Sequence, residues 1–254
     1  MTGASSGIGA AIARELAATG HDVVLVARRA AELQQVAATI VASGGRALVL
    51  PGDATDAAAM QQVIAAAIAW RGRLDVVVAN AGVYRRGPAS QLDRGQLEAA
   101  LRDNLWTAFH VVAPALPAVR GARGQFVFVS SFDAKKGLPL DAGYAAAKAA
   151  LASYAAALRQ ELRAEGVNVV TVFAGRVDTP MIDHVEVPAV SAKIAPERVA
   201  RAVVRALRRR SAEVIVPWHC RLLWWCDVLS PRLGDWLVRW LGLDGAERHR
   251  TRLP

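Results

Sequence analysis

Residues 1–10 read MTGASSGIGA, and the spacing of Gly3, Gly7 and Gly9 decides how the rest of the chain is read. A glycine-rich turn between a strand and a helix lets backbone N–H groups come up to a phosphate. The helix is here: Ile8, Ile12, Leu16 and Ala17 recur at helical spacing, and Gly20 ends the run. No strand stands before the glycines. A parallel sheet without its central strand would leave buried backbone groups unpaired. The sequence therefore predicts that Met1 is a misplaced start, with aliphatic codons in frame upstream.

Outward from the glycines, short apolar runs alternate with amphipathic or alanine-rich stretches. DVVLVAR (22–28) leads to a helix over 30–43, RALVL (46–50) to one over about 56–71, and LDVVVAN (74–80) to one over about 91–118. QFVFVSS (125–131) leads to a helix over about 142–165, and VNVVTVF (167–173) and EVIVP (213–217) add two strands. The strands read as continuous apolar runs, the pattern of a parallel sheet covered on both faces. This predicts an α/β, doubly wound parallel sheet with helices on both faces, whose ligands bind at the carboxyl ends of the strands.

Composition narrows the functions. A chain of 254 residues, 54% hydrophobic, fits one large domain over 1–217, followed by an extension over 218–254. No secretory leader and no apolar run of about 18 residues is seen, so a cytoplasmic location is expected. The net charge of +9 is almost wholly arginine, because lysine occurs only at positions 135, 136, 148 and 193. Arg201, Arg205 and the Arg208 to Arg210 cluster lie on or just after one amphipathic helix with no nucleic-acid motif around them, so they read as a solvated surface. Cys220 and Cys226 have no metal-ligand spacing with the five histidines; neither a metal nor a disulfide is expected.

Tyr144 and Lys148 stand four apart on a predicted helix, so both side chains reach the same small volume. A nearby ammonium favours the charged form of a phenol and brings it toward a useful acid–base range. Ser131 ends a predicted strand, where α/β folds place their ligand groups; Ser130, one residue earlier, should point to the opposite face. An acidic residue about 20 positions beyond the glycines would bind a free ribose 2′-OH, and an arginine a 2′-phosphate. Arg28 stands nineteen residues after Gly9, followed by Arg29, and no carboxylate ends that strand. The charge favours NADP(H), with NAD(H) as the alternative.

Thr2-Gly3-Ala4-Ser5-Ser6-Gly7-Ile8-Gly9, Asn80-Ala81-Gly82, Asn104, Ser131 and Tyr144-Ala145-Ala146-Ala147-Lys148 follow one another in register. Over residues 1 to about 217 the chain resembles the short-chain dehydrogenase/reductase family, in its ordinary-length branch with TGxxxGxG and YxxxK motifs. The resemblance implies a Rossmann-type fold and an NAD(P)-dependent interconversion of a carbonyl and an alcohol, in a homodimer or homotetramer. It implies that Asn104, Ser131, Tyr144 and Lys148 are catalytic, with Asn104 holding a water that links Lys148 to solvent. The same resemblance gives cofactor contacts to Gly3, Ser5, Ser6, Gly7, Ile8, Gly9, Asp53, Asn80, Gly82, Tyr144, Lys148, Gly175 and Thr179. Ala174 stands where the family usually has proline, and Arg176 follows Gly175; both departures weaken the match at Thr179. A rival reading, a catalytically silent NADP(H)-binding protein, rests on the absent first strand and is opposed by the four intact catalytic positions.

Met181 to Ala195, with Val185, Val187, Pro188 and Val190, corresponds to the substrate lid of the family and suggests an apolar substrate. The chain lacks the Asp-Gly-Gly ending of 3-oxoacyl carrier-protein reductases, which argues against a role in fatty-acid synthesis. Instead an atypical extension carries two apolar stripes, one with Leu222, Trp225, Cys226 and Leu229, the other with Leu233, Trp236, Leu237, Trp240 and Leu241. Residues 218–242 could lie peripherally in a membrane interface, cover a neighbouring subunit or close the substrate cleft.

Overall fold

The alternating pattern becomes alternating strands and helices in a computed structural model that describes residues 1–185 and 187–243. The strands are β1 (Val23–Ala27), β2 (Ala47–Pro51), β3 (Val76–Ala79), β4 (Gln125–Ser131), β5 (Asn168–Ala174) and β6 (Glu213–Val216). β1 pairs in parallel with β2, and β3, β4, β5 and β6 pair in parallel in that order. Residues 1–4 join the two blocks. The Val26 N–H donates to Met1 O at 3.0 Å, the Ala4 N–H to Val26 O at 3.1 Å and the Thr2 N–H to Val78 O at 3.0 Å. The spatial order is thus β2, β1, residues 1–4, β3, β4, β5, β6, and the order reverses beside the glycine turn, where a doubly wound sheet opens its ligand crevice.

The helices are α1 (Gly7–Ala18), α2 (Ala30–Ala42), α3 (Ala57–Arg71), α4 (Arg94–Leu101), α5 (Thr107–Ala122), α6 (Ala142–Leu162), α7 (Pro196–Arg209), α8 (Cys220–Leu229) and α9 (Pro231–Trp240). Along β4 successive side chains go to opposite faces, as the pleat requires. Val127 and Val129 join the core under α1, α2 and α7, which includes Ile12, Leu33 and Val203. Phe126 and Phe128 join the core under α3, α5 and α6, which includes Met60, Val112 and Leu151. Both faces of the sheet are therefore dry, which explains strands without polar alternation.

The helix predicted over 91–118 is divided. α4 ends at Leu101, residues Arg102–Trp106 form a π-helical segment, and α5 continues to Ala122. Asn104 lies in this segment, almost fully buried, with its Nδ2 donating to Val83 O at 2.9 Å and to Ala100 O at 3.0 Å. Single π-turns of this kind frequently mark functional positions in helices.

The extension folds back. Both stripes become helices, and Cys220, Leu223 and Trp224 of α8 pack on Phe132, Phe173 and Ile215. Lys136 fastens the pair: its Nζ lies 2.6 Å from Asp227 Oδ1 and 2.6 Å from Asp235 Oδ1. The outward side keeps Trp218, Leu229 and Trp240 exposed, at 67%, 79% and 68%. No helix among the described residues is long and apolar enough to cross a membrane. Residues 244–254 of the extension lie outside the described residues.

Candidate active site

The glycine turn is built by steric necessity. Gly3 and Gly7 have φ of +65° and +53°, and a Cβ on Gly9 would lie 2.0 Å from Gly3 O. Only glycine allows that approach. Asn80 ties the turn to the end of β3, its Nδ2 donating to Thr2 O and Gly3 O at 3.2 Å each. The first turn of α1 contains no acidic residue, and no side chain caps it. Its N–H groups and the positive end of the helix dipole therefore face the cleft unopposed. Thr179 lies over the turn, with Cγ2 2.9 Å from the place a Gly7 Cβ would take.

The two arginines after β1 diverge. Arg29 Nη2 donates to Ser5 Oγ and Ser6 Oγ, each at 2.9 Å. Arg28, the residue picked out by counting from Gly9, instead extends to Asp53, with Nη1 3.9 Å from Oδ2. The backbone N–H of Thr55 holds the Asp53 carboxyl below its ordinary range, with further help from the Thr55 hydroxyl and Arg28. Arg29, the next residue, is the one that reaches the glycine turn.

Ser131, Tyr144 and Lys148 line the same cleft, of about 990 Å³, as the glycine turn. Lys148 is buried, its Nζ donating to Val129 O at 3.0 Å and lying 5.7 Å from the centroid of the Tyr144 ring. Burial lowers the lysine to about 8. Burial also pushes the Tyr144 phenol above its ordinary value, reinforced by Asp133, while a hydrogen bond with Ser131 opposes the rise. The i,i+4 spacing alone anticipated a phenol lowered by Lys148, but the ammonium is turned toward a backbone carbonyl and desolvation dominates. Ser130 Oγ donates to Lys148 O at 3.0 Å, so it is engaged behind the site. Gly82 lets Asn104 and Lys148 approach, since a Cβ there would lie 2.6 Å from Asn104 Oδ1 and 3.3 Å from Lys148 Nζ. Gly175 similarly packs close to Pro217 and Cys220, and Ile8 is half-buried against the core.

Beside Ser131 stands a charged cluster that sequence reasoning did not assemble. Ser131 Oγ donates to Asp133 Oδ2 at 2.7 Å. Burial, then the nearby Asp141, pushes the Asp133 carboxyl up to about 6. Asp141 accepts from the Tyr84 hydroxyl at 2.8 Å and from Arg86 Nε at 3.1 Å. The Tyr84 ring meets Tyr144 edge-on, 4.9 Å between centroids, so it buttresses the phenol. Arg176 Nη2 donates to Leu243 O, and its Nη1 is buried without a hydrogen-bond partner among the described residues. The signals for this cluster were an acid two residues after Ser131 and an arginine after Gly175.

The tail forms part of the cleft wall, with His219, Cys220, Leu223 and Leu243 lining it beside Met181 and Ile182 of the predicted lid. No group of three or more metal-ligating side chains is assembled among the described residues.

A parallel sheet with a glycine turn at its switch point, facing a half-buried tyrosine, a buried lysine and a strand-end serine, defines a dinucleotide-type fold with a candidate acid–base site. The family model described as short chain dehydrogenase matches residues 1–187, and the chain belongs to that family. It is 33% identical to "Ketoacyl reductase HetN" of Nostoc sp., over 99% of this chain and 91% of that protein. A fatty acyl-CoA reductase of Acinetobacter baylyi is 32% identical over 84% of this chain and 74% of its own. A dehydrogenase/reductase from Sinorhizobium meliloti superposes with a TM-score of 0.78 at 28% identity, covering 85% of this chain and 91% of that one. The chain is thus a short-chain oxidoreductase by fold and ancestry, related to ketoacyl and fatty-acyl reductases.

Proposed function

We propose that the protein is an NADP(H)-dependent oxidoreductase that interconverts a carbonyl and an alcohol on an apolar small molecule. The observation that carries this reading is the convergence of Ser131, Tyr144 and Lys148 on the cleft that also holds the glycine turn. The residues fit the cofactor: the uncapped start of α1 suits a pyrophosphate, and Arg29 with Ser5 and Ser6 offers a cation and two hydroxyls to a 2′-phosphate. When bound, NADP(H) supplies or accepts the hydride. Lys148 gives one ammonium hydrogen to Val129 O, leaving two for ribose hydroxyls.

A Tyr144 phenol whose pKa is raised by burial stays protonated at neutral pH, ready to donate its proton to a carbonyl oxygen as that oxygen gains charge. Ser131 is the second donor to that oxygen. Apolar neighbours such as Leu223, Met181 and Ile182 suit an apolar substrate body. The test is NADPH consumption by the purified protein over a panel of ketones and aldehydes. Binding of NADPH without turnover on any of them would contradict the reading.

Self-association is supported by Trp106, at the end of the segment that carries Asn104, and Phe109 in the first turn of α5, exposed at 47% and 40%. The outward face of α8 and α9, with Leu222, Trp225 and Trp240 and with Trp218 just before α8, is a second apolar surface, suited to another copy or a membrane interface. Size-exclusion chromatography and sedimentation with lipid vesicles separate these two occupants.

A further inference from the structure

Arg176 is the one described residue with a buried side-chain polar atom that meets no hydrogen-bond partner. The guanidinium is anchored on one side only, where Nη2 donates to the backbone oxygen of Leu243, just after α9. The carboxylates near it are engaged elsewhere: Asp133 takes the Ser131 hydroxyl, and Asp141 takes Tyr84 and Arg86. A buried N–H donor without an acceptor is costly, and arginine's planar fork is shaped for paired oxygens. Arg176 also lines the cleft, so a turn of the side chain that brings Nη1 to that space would satisfy the donor with an oxygen that arrives with a ligand.

Its position separates that ligand from the nucleotide. Arg176 follows Gly175, whose Cα faces Pro217 and Cys220 at the start of the tail, and it reaches Leu243 just after α9. His219, Cys220 and Leu243 of the tail line the cleft, as does Ser131. The 2′-phosphate pocket formed by Arg29, Ser5 and Ser6 is a different set of residues.

We infer that Arg176 is a specificity-determining residue that holds a second oxygen of the substrate, that of a carboxyl group, free or esterified, set away from the reacting carbonyl. This rests on the reductase reading above and narrows its substrates to apolar ketones that carry a carboxyl or ester group.

The test compares the full-length protein with its Arg176→Gln and Arg176→Lys variants, each checked for folding by its thermal midpoint. NADPH consumption is measured with straight-chain oxo acids, their methyl esters and plain alkanones of matched length. The Gln variant should lose on the order of tenfold more kcat/KM on the oxo acids or the esters than on the alkanones, chiefly through KM. Partial rescue by Lys on the acids alone would identify the free carboxylate as the preferred form. Equal losses on all three substrate types, or none on any, would overturn the inference. Should no carbonyl be turned over by the wild type, calorimetry with decanoate separates the two ideas. Decanoate binding that is lost in Arg176→Gln upholds the oxygen site while the reductase reading fails; no binding, or binding unchanged in the variant, overturns the site as well.

Discussion

Ser131 donates its hydroxyl proton to Oδ2 of Asp133 across 2.7 Å. The proton that a carbonyl substrate would need from Ser131 is thus directed at a carboxylate that burial and Asp141 push up to about 6. Above that pH Asp133 is ionised and competes with the substrate. Below it the carboxyl carries its own proton, and Ser131 is free to donate.

Carbonyl reduction should therefore show kcat/KM increasing as the pH falls through about 6. Asp133→Ala removes the competing acceptor and should flatten that limb. The sign for stability is the same: the folded-state value lies above the ordinary 3.8, so the contribution is fully present below 3.8 and is lost as the pH rises through about 6. Profiles of wild type and variant check this, and an identical limb in both would exclude Asp133 as its source.

Arg29→Ala should raise the KM for NADPH by about tenfold or more, about 1.4 kcal/mol of binding, and leave the KM for NADH nearly unchanged. Arg28→Ala should do less, because Arg28 reaches toward Asp53 and away from the serine hydroxyls. Parallel titrations with the two nucleotides measure the difference.

Gly9→Ala would force a methyl group to within 2.0 Å of Gly3 O. The neighbour is backbone at the centre of the sheet, so the variant should lose about 3 kcal/mol or more and its nucleotide site with it. Thermal melting with and without NADPH reads both effects.

Lys136→Ala removes both ion pairs that fasten α8 and α9, at a side chain only 10% exposed. A loss of about 1–3 kcal/mol is expected, concentrated in the tail. Hydrogen exchange should speed up in residues 220–240 and stay unchanged in β4.

The sheet was legible in the sequence because its strands are buried on both faces, leaving apolar runs such as QFVFVSS that need no knowledge of their partners. The glycine turn was legible for a related reason, since Gly3, Gly7 and Gly9 are fixed by local backbone geometry. The break at Asn104 was less so, because it answers to Val83, a residue 21 positions away. That Arg29 and not Arg28 meets the Ser5 and Ser6 hydroxyls turned on side-chain direction, which counting along a strand cannot supply. The Tyr84, Asp133, Asp141 and Arg176 group is assembled from separate loops, so only its members were readable and not their meeting. For the tail, the stripes fixed the helices, whereas their docking on Phe132 and Phe173 depended on tertiary packing.

The account turns on Tyr144 as the proton donor in an NADPH-dependent reduction. The direct measurement pairs NADPH consumption on a responsive ketone with NADPH affinity by fluorescence, in the wild type and in Tyr144→Phe. The account predicts a loss of turnover of at least about a hundredfold in the variant, with affinity within a few-fold of the wild type. Turnover retained in Tyr144→Phe would contradict it.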